Sequence, residues 1–241
     1  MPIPALFLHI QKTAGTSVVH TVRKYYKNDV VSHLDFHLHE PAAFNGTGFI
    51  SGHFGYDYAQ PLMHSRYCFT FLRDPSERVL SFYYFCLRSD PEEYAVYKLA
   101  QTNSLDDFLE MGLAHPQVRA FIWNHQTWQL ACGWGNCAKK SIAAYDEKEM
   151  IRLAKTHLSE FDHVGFKETF DTDMATILNR LQIKKRTGPV ARTNVSPRRP
   201  PVEDLAPSTR DRLQQITMLD QSLYDHAWGM RSAEKKTALH K

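Results

Sequence analysis

Four cysteines in 241 residues are too few to staple a fold. Cys68 and Cys86 stand alone in apolar stretches and read as buried thiols. Cys132 and Cys137 lie five apart around Gly133 and Gly135. They either close a small local disulfide or stay thiols, the default of an intracellular chain. No second Cys/His pair follows at ligand spacing, which argues against zinc. Long apolar runs are also missing: no stretch nears the ~20 residues that cross a bilayer. Residues 1–10 have neither a basic start nor a small-residue cleavage site, so they do not read as a signal peptide. A membrane partner is not expected, and the location that fits is the cytoplasm, or the Golgi lumen if the chain is a trimmed piece. Charge of one sign is scarce too. The formal net charge of +3 is milder than the clustered basic balance of nucleic-acid binders, so no nucleic-acid partner is expected. There are no internal repeats and no low-complexity segments. What is present is a chain 43% hydrophobic and 23% charged, long enough to bury a full core.

A strand, loop, helix pattern occurs twice. Residues 5–10 form a short apolar run that breaks into Gln11-Lys12-Thr13-Ala14-Gly15-Thr16-Ser17. Val18, Val19, Val22, Tyr25 and Tyr26 then fall at helical spacing. The second strand of this kind, 67–72, ends at Arg73-Asp74-Pro75. Asp74 occupies an N-cap position, Pro75 the first helical position, and Glu77 completes a capping box. Residues 30–32, 48–51 and 161–166 are further strand candidates. Ser104, Asp146 and Ser208 open helices, and 117–131 and 171–182 read as helical. Residues 183–207 are a basic, proline-rich loop. The alternation predicts a single three-layer α/β domain over 1–228. It has a mostly parallel sheet of four or five strands, helices on both faces and a P-loop-like loop after the first strand. Residues 229–241 are expected as a frayed polar tail.

A loop that leaves a strand and opens a helix gathers backbone N–H groups at the positive end of a helix dipole, which suits an anion. Lys12, Thr13, Thr16 and Ser17 add a charge and hydroxyls, and Gly15 allows close backbone approach. The order differs from the nucleotide-triphosphate loop G-x-x-x-x-G-K-[ST], since Lys12 precedes the glycine. The plainer alternative is a capped strand-to-helix turn. Arg73 stands at a strand end, and Ser81 follows two helical turns later, a pairing that suits phosphate. The plainer alternative there is an ion pair of Arg73 with Asp74 or Glu77.

Together, the K-T-A-G-T-S loop and the R-D-P-x-x-R-x-x-S segment about sixty residues later resemble the two donor motifs of sulfotransferases that use 3′-phosphoadenosine 5′-phosphosulfate. SGHFGYDYA (51–59), RYCFTFLRDPSERVLSFYYF (66–85) and HVGFKETFDTDMATIL (163–178) carry a narrower likeness. They resemble the group that includes the heparan sulfate and uronyl 2-O-sulfotransferases. The likeness extends over about 6–223. It implies sulfuryl transfer to an acceptor hydroxyl on a carbohydrate, with no metal. It implies that Gln11, Lys12, Thr13, Ala14, Gly15, Thr16 and Ser17 hold the 5′-phosphosulfate, with Lys12 beside the bridging oxygen. Arg73 and Ser81 would bind the 3′-phosphate, and His53 would be the general base. Asn194, Ser196 and Arg198, in the basic loop 191–199, would close over the nucleotide. The chain departs from the group at Ser51, where the glycan enzymes carry a second histidine in H-G-H. In-line sulfuryl transfer parallels phosphoryl transfer, so positioning and charge stabilisation do most of the work.

Other readings stand beside these. Glu40 and Asp57 are runner-up bases. His33, His37 and His39 alternate near Glu40, either as a metal site or as surface alternation. His9 reads as a core residue or a support beneath the site. Trp123, Trp128 and Trp134 stack a sugar or, for the first two, pack in the core. Residues 89–103 and 115–136 are expected as variable loops that select the acceptor. A P-loop nucleotide kinase or NTPase, and a non-catalytic anion- or glycan-binding protein on the same scaffold, are the alternative functions.

Overall fold

Side-chain alternation along β1 (Ala5–Leu8) sends Leu6 and Leu8 to one face of a sheet and Ala5 and Phe7 to the other. All four are fully buried, which is the mark of a parallel strand covered on both sides. The computed structural model describes residues 2–133, 146–183 and 200–239. Among them, β1 is joined by β2 (Val30–Ser32), β3 (Phe49–Gly52), β4 (Tyr67–Leu72) and β5 (His163–Phe166). The sheet order is β2-β3-β1-β4-β5, and every pairing is parallel. The fold is the predicted three-layer α/β domain with five strands.

One face is covered by α1 (Gly15–Tyr26) and α9 (Phe170–Arg180). Val18, Val22, Met174 and Ile177 pack there on Phe7, Phe69 and Phe71. The other face carries the larger core, built on Leu6, Leu8 and Ile50. Covering it are α2 (Tyr56–Met63), α3 (Pro75–Cys86), α4 (Ala95–Thr102), α5 (Leu105–Ala114), α6 (Pro116–Ile122), α7 (His125–Ala131), α8 (Glu147–Leu158) and α10 (Pro207–Leu239). The helix starts follow their caps: Asp74, Ser104 and Asp146 each accept the backbone N–H of the residue three positions on.

Several bounds differ from the sequence expectation: β5 starts at His163 rather than 161, and α10 starts at Pro207, so Ser208 lies inside it rather than opening it. The first strand stops at Leu8 rather than residue 10, because the His9 carbonyl turns aside to accept side-chain donors. The helix expected over 117–131 is two, broken at Asn124, whose left-handed backbone (φ 42°) lets its side chain dock on α10. The segment 89–103, expected as a loop, contains α4. The last helix continues to Leu239 instead of fraying from 229, and Arg231 is tied to Asp173 by bonds of 2.6 and 3.2 Å.

This topology fixes where a ligand fits. After β1 the chain heads toward β2 on one side, and after β4 it heads toward β5 on the other. The diverging connections open a crevice at the carboxyl ends of β1 and β4, where open parallel sheets bind their ligands.

Candidate active site

Three neighbouring strand ends supply the site. The loop after β1 carries Lys12, the turn after β3 carries His53, and β4 runs into Arg73. Lys12 (φ 69°) and Ala14 (φ 83°) both adopt the left-handed backbone that non-glycine residues avoid. Alternation of this kind builds concave amide nests that favour anions. Ala14 caps α1 with no side-chain hydrogen bond. Gly15 is needed for proximity: a Cβ there would sit 1.7 Å from His9 Nε2, so the start of α1 rests on that imidazole. The Thr13 hydroxyl donates to the Ile10 carbonyl at 2.8 Å and braces the loop from inside. Gln11 is half-buried, and its Oε1 has no partner among the described residues. Thr16 is exposed and Ser17 buried.

The Lys12 ammonium lies 4.0 Å from the centroid of the Phe85 ring. A ring holds an ammonium without neutralising it, as a carboxylate would. Burial first, then the Arg73 and Arg88 guanidinium groups, push the Lys12 pKa down to about 8. Arg73 Nη1 donates to the Lys12 carbonyl at 3.2 Å, and Nη2 pairs with Glu77 at 3.2 Å. The plainer ion-pair alternative, Arg73 with Glu77, is thus present, and the other terminal nitrogen of Arg73 faces the Lys12 loop. Ser81 is buried further along α3.

His53 Nδ1 faces the His9 carbonyl at 2.8 Å. A carbonyl only accepts, so Nδ1 carries the proton and Nε2 the lone pair. Burial lowers the His53 pKa to about 4; the bond to His9 works the other way, and His33 and Lys12 add to the lowering. The His9 ring lies 4.2 Å from the His53 ring and is itself buried, just past the end of β1.

Other candidates fall outside this constellation. Glu40 is exposed ahead of a 3-10 turn, and Asp57 opens α2. His37 is exposed, and His39 packs against Phe44. Among the described residues no three potential ligands gather as a metal group. Trp123 and Trp128 are buried in the core, as are Cys68 and Cys86, whose thiols burial pushes up to about 12. Asn194, Ser196, Arg198, Trp134 and Cys137 lie outside the described residues, and with Cys137 the choice between a Cys132 disulfide and two thiols.

Sequence reasoning missed Gln126 and Gln129, two buried amides of α7. Gln126 grips the Arg73 main chain at both ends, accepting from its N–H and donating to its carbonyl, each at 3.0 Å. Gln129 Nε2 donates to the carbonyls of His9 (3.1 Å) and Phe54 (2.7 Å). The signal available was two amides at i and i+3 inside an otherwise aromatic and apolar stretch, HQTWQL.

The sequence matches the model of the sulfotransferase family over residues 4–227, and the chain belongs to that family. It is therefore a sulfotransferase, an enzyme that moves a sulfuryl group from a sulfonate donor to an acceptor. No curated protein matches it. Among the described residues, no helix is long and apolar enough to cross a membrane.

Proposed function

We propose that the donor is 3′-phosphoadenosine 5′-phosphosulfate and the acceptor a carbohydrate hydroxyl, with His53 as general base and Lys12 at the leaving oxygen. The observation that carries this reading is the bond from His53 Nδ1–H to the His9 carbonyl. It fixes the tautomer whose Nε2 takes the acceptor's proton, on a strand end next to the Lys12 loop. A pKa of about 4 keeps that nitrogen unprotonated at neutral pH. A multiply anionic donor raises it toward the range where proton transfer is effective, and such a base is worth ~100- to 10,000-fold.

The residues present suit that donor. The α1 N-terminus without a side-chain cap and the left-handed Lys12 and Ala14 fit the 5′-phosphosulfate end. Arg73 and Ser81 fit a 3′-phosphate. The donor supplies a sulfuryl group already attached to a good leaving group. Lys12 then stabilises the charge that develops on the bridging oxygen, and losing such a contact costs ~100-fold or more. The carbohydrate acceptor, and kinship with the heparan sulfate and uronyl 2-O-sulfotransferase group, are supported by the segments 51–59, 66–85 and 163–178. Ser51, where that group has histidine, is buried, and its hydroxyl has no partner among the described residues.

Thermal unfolding with adenosine 3′,5′-bisphosphate, set against ATP plus magnesium, tests the donor. At ~100 times its dissociation constant a ligand stabilises by ~2.7 kcal/mol. A shift with the bisphosphate alone is expected. No shift with it, or a shift with magnesium-ATP alone, overturns the donor assignment.

A further inference from the structure

Every residue of α7 is buried, yet two of its seven side chains are amides. A buried amide is costly unless hydrogen-bonded, and leucine or methionine would fill the same volume without that cost. Packing alone therefore does not explain these glutamines, but their partners do. They lie three residues apart on one helical face and reach all three strand ends of the site. Gln126 holds the Arg73 peptide at two points, as a neighbouring strand would. Gln129 spends both amide protons on the carbonyls that flank His53 in space, His9 and Phe54. The same His9 oxygen accepts His53 Nδ1–H, so one carbonyl carries both the base and its brace.

The helix bearing the amides is itself fixed. Asp220 of α10, fully buried, accepts Thr127 N–H at 2.7 Å and Gln126 N–H at 3.3 Å, placing a carboxylate at the positive end of α7. Asn124 N–H donates to the Ile216 carbonyl, and Asn124 Oδ1 accepts Leu219 and Asp220 N–H from α10. At the other end the Cys132 carbonyl accepts Asp57 N–H.

We propose that Gln126 and Gln129 are positioning residues with separate duties, Gln126 aiming Arg73 at the donor and Gln129 holding the carbonyl that orients His53. The inference rests on the proposed roles of Arg73 and His53. Its test is a crossed pattern in Gln126→Met and Gln129→Met, which keep side-chain volume. Gln129→Met is expected to lower kcat about 10- to 100-fold, the scale of a misplaced reacting group, with donor KM within about threefold. Gln126→Met is expected to raise donor KM about tenfold, with the smaller change in kcat. Two variants that lower kcat and raise KM alike, or that leave both unchanged, overturn the proposal. Where a methionine variant does not fold, the asparagine variant, which withdraws the amide by one methylene, takes its place and the same pattern is read.

A ligand-free readout separates this inference from the functional reading. Imidazole nitrogen-15 shifts report the His53 tautomer, and the wild type is expected to hold its proton on Nδ1. Gln129→Met is expected to give a mixed tautomer population while Gln126→Met keeps the wild-type signal. An unchanged His53 signal in Gln129→Met sinks the positioning role even if sulfuryl transfer is established. A wild type inactive with the donor, or a fully active His53→Ala, sinks the functional reading and leaves the tautomer result standing.

Discussion

Asp173 and Lys12 are both charged groups drawn largely out of water, and their neighbourhoods are completed differently. Asp173 receives His163 Nε2, Phe166 N–H, the Thr169 hydroxyl and both terminal nitrogens of Arg231. Burial alone would raise its carboxyl; those donors outweigh burial and hold it below the ordinary value. Lys12 has a phenyl ring beneath it and guanidinium groups around it, and its pKa falls rather than rises. The first cluster neutralises itself and ties β5, α9 and α10 together. The second gathers the positive charges of Lys12, Arg73 and Arg88 at a strand-end crevice, with the Glu77 carboxylate on Arg73. Buried charge alone therefore does not mark a functional site; an excess of one sign at the carboxyl edge of the sheet does.

The comparison can be broken at its strongest point first. Lys12→Ala and His53→Ala are expected to lower kcat by ~100-fold or more, and up to ~10,000-fold for the base. His53→Ala should keep donor affinity, measured by calorimetry with the bisphosphate. At the other cluster, Asp173→Asn or Arg231→Met should cost about 3–5 kcal/mol in denaturant unfolding, because one partner of a buried pair is left behind. Turnover per folded molecule should stay at the wild-type level there. Asp173 is depressed in the fold, so its contribution is complete above the ordinary carboxyl value of 3.8 and is lost as pH falls through the lower folded value. The acid limb of the stability curve should therefore flatten in Asp173→Asn.

A smaller effect of opposite sign is expected at Lys12. Its pKa is about 8 in the fold against 10.5 unfolded, so the unfolded chain binds more protons between those values. Ligand-free stability should rise with pH from about 8 to about 10.5, and Lys12→Met should abolish that slope. At pH 7 the same variant should melt about 2–4 °C higher, the shift given by about 1 kcal/mol in a chain of this size. The pH profile of kcat/KM reads both groups in the free enzyme. It should fall below about pH 4 as His53 gains a proton and above about pH 8 as Lys12 loses one. Lys12→Arg should carry the alkaline limb upward. Last, Glu77→Gln removes the carboxylate beside Arg73 and should tighten bisphosphate binding a few-fold, in keeping with the modest worth of a partly exposed pair.

Local rules made much of the fold legible. Asp74, Ser104 and Asp146 cap the helices that their residue types announce, and the apolar runs at 30–32 and 67–72 are strands with those bounds. The loop at Lys12 and the strand end at Arg73 were legible for the same reason, since a strand, a turn and a helix start are written in neighbouring residues. What stayed hidden depends on distant partners. The break at Asn124 exists because α10 offers backbone N–H groups nearly a hundred residues away. Pro61 obscures the short α2, and α4 is only eight residues long. Gln129 looks like an ordinary helix residue until β1 and β3 bring two carbonyls beneath it.

The order of the strands also sets a timetable. β1 sits at the centre, yet its partner β4 lies sixty-two residues further along the chain. At ~5–20 residues per second, a ribosome adds that length in roughly 3 to 12 s. Through that interval Leu6, Phe7 and Leu8 are without β4, the strand that closes one of their edges. No hairpin can shelter them, because every pairing in the sheet is parallel and waits for a crossover. The residues at the centre of the finished sheet are thus the ones a nascent-chain chaperone would meet first.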